Sequence, residues 1–214
     1  MKRADHGMLL ARSEQYYTGK FAEHGATAAG VDWNGVESQE LRFEQLLRVA
    51  TREGVLSILD YGCGYGALAA YLLRSGRELR YLGFDVSRPM IDHAREEYRG
   101  VPGVAFTADE SELEEREYAV ASGVFNVKLD AADDVWAAFV GSTVAELARL
   151  GAAGFAFNML TSYSDTDKMR KDLYYGDPVA YFRLCKSEHA RYVALLHDYG
   201  LWEFTILARH DGAP

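Results

Sequence analysis

The stretch Val55-Leu56-Ser57-Ile58-Leu59-Asp60-Tyr61-Gly62-Cys63-Gly64-Tyr65-Gly66 decides how the chain is read. A short apolar run ends in an acid and then in three glycines spaced two apart. A helical pattern carrying Leu68, Tyr71 and Leu72 comes next. Glycines at a strand-to-helix turn let the backbone bend tightly and approach a ligand with no Cβ in the way. The helix behind them presents free N–H groups and a positive dipole end. The arrangement predicts a nucleotide-like ligand over the turn.

Outward from that turn the same rhythm repeats. Apolar runs at Leu79–Phe84, Val104–Ala108, Tyr118–Ala121 and Gly154–Leu160 are short enough to be strands buried on both faces. Between them lie helical patterns on Ile91, Ala94 and Tyr98, and on Trp136, Phe139, Val140, Val144 and Leu147. Such alternation predicts an α/β fold with a mostly parallel sheet and helices on both faces. Arg191–His197 and Trp202–Arg209 are β-rich and joined by Asp198-Tyr199-Gly200-Leu201, so one antiparallel C-terminal strand is expected to close the sheet. Two helices precede the first strand, over residues 8–26 and from Ser38, the second with Gly54 where a C-terminal cap belongs. The expected division is a helical cap or lid over residues 1–53 and a ligand-binding core over residues 54–214.

The dinucleotide pattern is G-x-G-x-x-G, whereas the spacing here is G-x-G-x-G with an acid two residues before the first glycine. A carboxylate at Asp60 repels a pyrophosphate and attracts a cation such as the ammonium of a methionine moiety. That argues against NAD and for S-adenosylmethionine. With Gly83-Phe84-Asp85-Val86-Ser87 added, the chain resembles the class I S-adenosylmethionine-dependent methyltransferases over residues 54–209. The resemblance implies a Rossmann-like methyltransferase sheet and a methyl-transferring enzyme. Asp60, Gly62, Cys63, Gly64 and Gly66 would cradle the methionine moiety, and the Asp85 carboxylate would accept both ribose hydroxyls. Val86 and Met90 would line the adenine, Asp109 would accept from its amino group, and Ser122, Gly123 and Tyr17 would complete the wall. A catalytically silent module that binds the cofactor as a partner or sensor is the alternative, and a degraded loop would favour it.

The acceptor side is read from the residues beyond the later strands. Asn126 after the fourth strand and Tyr163, Tyr174 and Tyr175 after the fifth are candidate substrate contacts, with Trp33 and Asn34 reaching over from the irregular leading segment. His197, at the carboxyl end of the sixth strand, and His24, before the irregular segment, are candidate general bases, since histidine titrates near neutral pH. The bland alternative for His197 is a residue that opens the turn with Asp198, and for Tyr17 and Trp33 it is ordinary packing of the leading helices on the core. The stretch Asn158–Arg209 resembles uncharacterised bacterial methyltransferases and names no substrate.

Composition narrows the partners. Twenty-three Lys and Arg against 32 Asp and Glu leave a net charge of −9, which repels nucleic acid and anionic lipid. No Pro-Pro-aromatic tetrapeptide of the base-methylating enzymes comes after the fourth strand. No apolar run approaches the roughly 20 residues that span a bilayer. Two distant cysteines and the absence of a signal-like start point to a reducing, cytoplasmic setting, and no metal site is implied. The expected partner is a small-molecule methyl acceptor taking the group on O or N, and a homodimer stays open.

Overall fold

The computed structural model describes residues 3–210. Seven strands form one sheet: β1 (Leu56–Tyr61), β2 (Leu79–Phe84), β3 (Val104–Thr107), β4 (Arg116–Ala121), β5 (Gly151–Leu160), β6 (Tyr192–Leu196) and β7 (Glu203–Arg209). Their spatial order is β3-β2-β1-β4-β5-β7-β6. The first five run parallel, and β7 lies antiparallel between β5 and β6. The antiparallel strand is therefore an interior one. The expected antiparallel C-terminal strand is present as β7, with β6, carried outward by the β6–β7 hairpin, at the edge beside it.

Strand residues alternate between two core clusters, as a period of two requires. Leu59 and Tyr61 of β1, Phe155 and Phe157 of β5, and Phe204 and Ile206 of β7 meet one cluster with α5 (Asp133–Leu150) and α6 (Pro178–Glu188). Leu56, Ile58, Ala156 and Leu207 meet the other, with α2 (Val36–Leu47), α3 (Ala67–Arg74) and α4 (Arg88–Glu97). Helix α6 starts where an Asp-Pro pair predicts: Asp177 caps it by accepting from the Val179 and Ala180 amides.

The leading segment divides in two. Phe43 and Leu46 of α2 belong to the core beneath the sheet, and the helix stops at Leu47. Gly54, at φ +87°, turns the chain into β1 instead of capping α2. Helix α1 (Arg3–His24) lies across the carboxyl ends of the strands. The Thr18 and Ser87 hydroxyls, 2.8 Å apart, tie it to the start of α4, and an Arg12–Asp130 ion pair ties it to the loop after β4. A short 3-10 turn, Ala28–Val31, leads from it into Asp32-Trp33-Asn34. Among the described residues no helix is long and apolar enough to cross a membrane.

Candidate active site

The chain reverses its strand order between β1 and β4, and the crevice above such a switch point is where open α/β sheets bind ligands. A cleft of about 900 Å³, counting its open mouth, lies there. Its floor is the glycine loop, with Gly62, Gly64 and Gly66 at φ +82°, +56° and +90°, a region that costs other residues strain. The Gly62 and Cys63 amides both donate to the Phe84 carbonyl, at 2.7 and 2.9 Å, which staples the loop to the end of β2.

Asp85 follows β2 directly. One of its oxygens accepts from the Gly64 amide at 2.9 Å and the other from the Ser87 amide at 2.8 Å. Burial raises its pKa, and these two donors work against the rise. Each oxygen keeps a lone pair for a ligand hydroxyl. Asp60, at the end of β1, is 2% exposed and accepts from the Tyr81 hydroxyl at 2.7 Å. Burial pushes its carboxyl up to about 7; the Tyr81 bond lowers it and the nearby Asp85 raises it further. Both carboxylates line the cleft and, among the described residues, no lysine or arginine does. A ligand bearing a diol and a positive charge suits this wall, and a pyrophosphate does not.

The side opposite the loop comes from the leading segment. Leu10, Ser13 and Tyr17 share one face of α1, three and four residues apart, and turn toward the cleft. Trp33 reaches Gly123, in the loop after β4, so closely that a Cβ on Gly123 would stand 2.3 Å from the indole ring. The Arg42 guanidinium stacks over Trp33, 3.9 Å from a ring centroid. Asn158, buried in β5, accepts from the Gly123 amide at 2.8 Å and donates to the Ser122 hydroxyl at 3.3 Å, which fixes this loop from behind.

Tyr17, Val31, Trp33 and Gly123 are shared with a second cavity of about 570 Å³, again counting its mouth. Its wall continues through Asp32, Asn34, Arg42, Asn126, Arg170 and Glu203. Arg42 and Glu203 form a buried bidentate pair, with Nε donating to Oε2 at 2.8 Å. Asp32 holds a left-handed backbone, φ 60° and ψ 32°, and its carboxylate takes the Tyr16 hydroxyl at 2.9 Å and the Lys20 ammonium at 3.0 Å. The carboxylate-lined cleft thus adjoins a polar chamber, with Tyr17, Val31, Trp33 and Gly123 lining both.

The cofactor residues read from the sequence are brought together with few exceptions: Asp60, Gly62, Cys63, Gly64, Asp85, Val86, Met90, Ser122, Gly123 and Tyr17 all line the first cavity. Gly66 lies behind it, where a Cβ would press on Tyr98 and Phe106. Asp109 is not brought in. It is exposed, and one of its oxygens accepts from both the amide and the hydroxyl of Ser111 to start a 3-10 turn. Hydrogen bonding to Ser111 lowers its pKa.

On the acceptor side Trp33, Asn34 and Asn126 line the second cavity, and the tyrosines do not. Tyr163 is 70% exposed, Tyr174 is bonded to Tyr181, and Tyr175 accepts from the Arg170 amide. Neither histidine lines either cavity. His197 is exposed at the end of edge strand β6, its ring 6.1 Å from that of Tyr163, because β7 separates β6 from β5. His24 is exposed at the end of α1 beside Glu23. Arg42, Glu203 and Asp32 escape the sequence reading. They had no local signal, unlike Asn158, an amide in an otherwise apolar strand.

Residues 58–151 match the methyltransferase-domain family. A protein of Mycobacterium tuberculosis, Rv1506c, provisionally named a methyltransferase, is 47% identical over 163 residues, covering 76% of this chain and 98% of its own length. The chain belongs to the class I S-adenosylmethionine-dependent methyltransferases. The N-methyltransferase NodS of Bradyrhizobium japonicum, solved with S-adenosylhomocysteine, superposes with a TM-score of 0.63 at 16% identity, over 95% of this chain and 99% of its own. A Leishmania major S-adenosylmethionine-dependent methyltransferase does so with 0.62 at 16% identity, over 94% and 82%. These two likenesses are of fold.

Proposed function

We propose that this methyltransferase binds S-adenosylmethionine in the first cavity and passes the methyl group to an oxygen or nitrogen of a small molecule held in the second. The observation that carries the reading is the junction of Tyr17, Trp33 and Gly123, which lies between a carboxylate-lined cofactor cleft and a separate polar chamber. In the binding so proposed, Asp85 takes the ribose diol, Val86 and Met90 flank the adenine, and Asp60 faces the ammonium group. When bound, the cofactor supplies an electrophilic methyl on a positively charged sulfur. The chain's own part is to orient an acceptor in line with that methyl and to exclude water, which is where most of the acceleration in such displacements arises. The net charge of −9 supports a small acceptor over a nucleic acid. Two free cysteines, Cys63 and Cys185, support a cytoplasmic setting.

Calorimetric titration with S-adenosylmethionine, S-adenosylhomocysteine and NAD tests the assignment. The first two are expected to bind at micromolar order and NAD not to bind. Heat with NAD alone overturns it.

Asp60 adds a pH signature. With its carboxyl near 7 in the free protein, the form that attracts an ammonium is lost as pH falls through that value. Affinity for S-adenosylhomocysteine is expected to drop below pH 7 by up to about tenfold per unit, the limit for one linked proton. Stability runs the other way. The folded chain holds this proton more tightly than the unfolded chain, whose carboxyl has its ordinary value, so the cost of the buried charge is greatest above pH 7 and fades as pH falls toward 4. Asp60→Asn is expected to raise the melting temperature at alkaline pH while weakening ligand binding and flattening its pH dependence. An unaltered pH profile in this variant removes Asp60 from the ammonium site.

A further inference from the structure

Resting on the methyltransferase reading, we infer that the acceptor is a neutral hydroxyl compound, methylated on oxygen and held by the amide of Asn126 in the wall of the second cavity. The charges on that wall are already matched: Arg42 by Glu203, Arg170 by Asp172, and Asp32 by Lys20. A carboxylate acceptor finds no unopposed cation there, and an ammonium would have to draw Asp32 away from Lys20 and Tyr16. The polar groups still uncommitted are neutral. Asn126 is 6% exposed; its Oδ1 accepts from the Leu160 amide at 3.1 Å, which orients the side-chain amide, and its Nδ2 has no partner among the described residues. The Tyr17 hydroxyl and the Trp33 indole N–H also lack one there.

All three groups can donate, and this separates oxygen from nitrogen. A neutral amine has a single lone pair, which a donor at the attack site would occupy. A hydroxyl has two, so it can accept from Asn126 with one and attack with the other. A donor that a bound ligand covers without giving it a partner costs about 1–3 kcal/mol, so the site discriminates against ligands that cannot satisfy it. In the transfer, the hydroxyl oxygen forms its bond to the methyl carbon as the carbon–sulfur bond breaks, with that electron pair remaining on sulfur. The hydroxyl proton leaves to water at the open mouth of the second cavity. No oxidation state changes; sulfur loses its positive charge as the sulfonium becomes a thioether.

The test uses the full chain saturated with S-adenosylhomocysteine and four probes on one ring: phenol, aniline, benzylamine and benzoate, compared at neutral pH by ligand-observed NMR. Phenol is expected to bind tightest. Asn126→Asp keeps an oxygen for the Leu160 amide and replaces the free donor by an acceptor. It should weaken phenol by about 3- to 10-fold, the worth of one hydrogen bond, and strengthen benzylamine. Asn126→Ala should weaken phenol without that gain. Tighter binding of aniline, benzylamine or benzoate by the wild type overturns the inference, as does phenol binding that is absent or insensitive to both substitutions. The S-adenosylhomocysteine titration that precedes the probes keeps the two readings apart. If it shows no binding, the cofactor assignment fails as well; if it shows binding and phenol is not preferred, only the acceptor class fails.

Discussion

Asp85→Ala is expected to weaken S-adenosylhomocysteine binding by about 100-fold or more in a chain that still folds. A carboxylate that accepts both hydroxyls of a ribose makes two charge-assisted hydrogen bonds, each worth about 1.5–3 kcal/mol, and the low end of their sum already corresponds to roughly 100-fold. The carboxylate has a second task, because its two oxygens hold the Gly64 and Ser87 amides at 2.9 and 2.8 Å. Alanine removes the ligand's partner and frees the tip of the glycine loop together. Asp85→Asn separates the two effects. Its single amide oxygen can keep one backbone donor while the –NH₂ group opposes the other, so an intermediate loss is expected. Calorimetry on each variant, with circular dichroism to verify folding, reads the result. A folded Asp85→Ala protein that binds as tightly as the wild type would place the ribose elsewhere.

The cofactor half of the site was legible because its signals are local. Strand, glycine loop and helix are contiguous over Leu56–Arg74, and Asp85 closes the next strand in the same register, with Asp60 paired to Gly83 and Tyr61 to Phe84. A sheet with a two-residue period and buried strands converts such a pattern into spatial proximity with no further information. Asp109 shows the limit of that logic. It follows its strand as a ligand-binding acid should, but a serine two residues on captures its carboxylate in a turn.

The acceptor half depends on contacts between distant parts of the chain. Tyrosines crowd the last third of the sequence, yet the aromatic wall of the chamber comes from Tyr17 and Trp33. His197 follows the sixth strand in sequence, but the hairpin places that strand outermost, and its carboxyl end is remote from β1. A strand's sequence rank fixes its place in the sheet only where the connections are parallel crossovers, and the β6–β7 hairpin breaks that rule.

The Arg42–Glu203 pair is the extreme of this dependence, since 161 residues separate partners whose side chains are 8% and 1% exposed. Glu203→Ala is expected to destabilise the protein by about 3–5 kcal/mol, the usual consequence of leaving one member of a buried ion pair uncompensated. The guanidinium left behind keeps a bond to the Ser38 carbonyl and its stacking on Trp33, neither of which replaces a bidentate carboxylate. Replacing both charges, Arg42→Met with Glu203→Leu, is expected to recover most of that loss, because the desolvation cost of two ions disappears along with their attraction. Chemical denaturation of the three proteins measures both effects. A Glu203→Ala variant within about 1 kcal/mol of the wild type would show that the pair carries no such weight. The double variant then isolates what the pair does beyond stability. It lacks the cation over Trp33, so the indole loses its contact with Arg42 and keeps the one with Gly123. Its fluorescence, obtained by subtracting the same protein carrying Trp33→Phe, should shift toward that of a solvated indole. The S-adenosylhomocysteine affinity should stay within a few-fold of wild type, because Asp85 and the glycine loop lie on other elements. An unshifted Trp33 signal would mean that packing on Gly123 alone positions the ring.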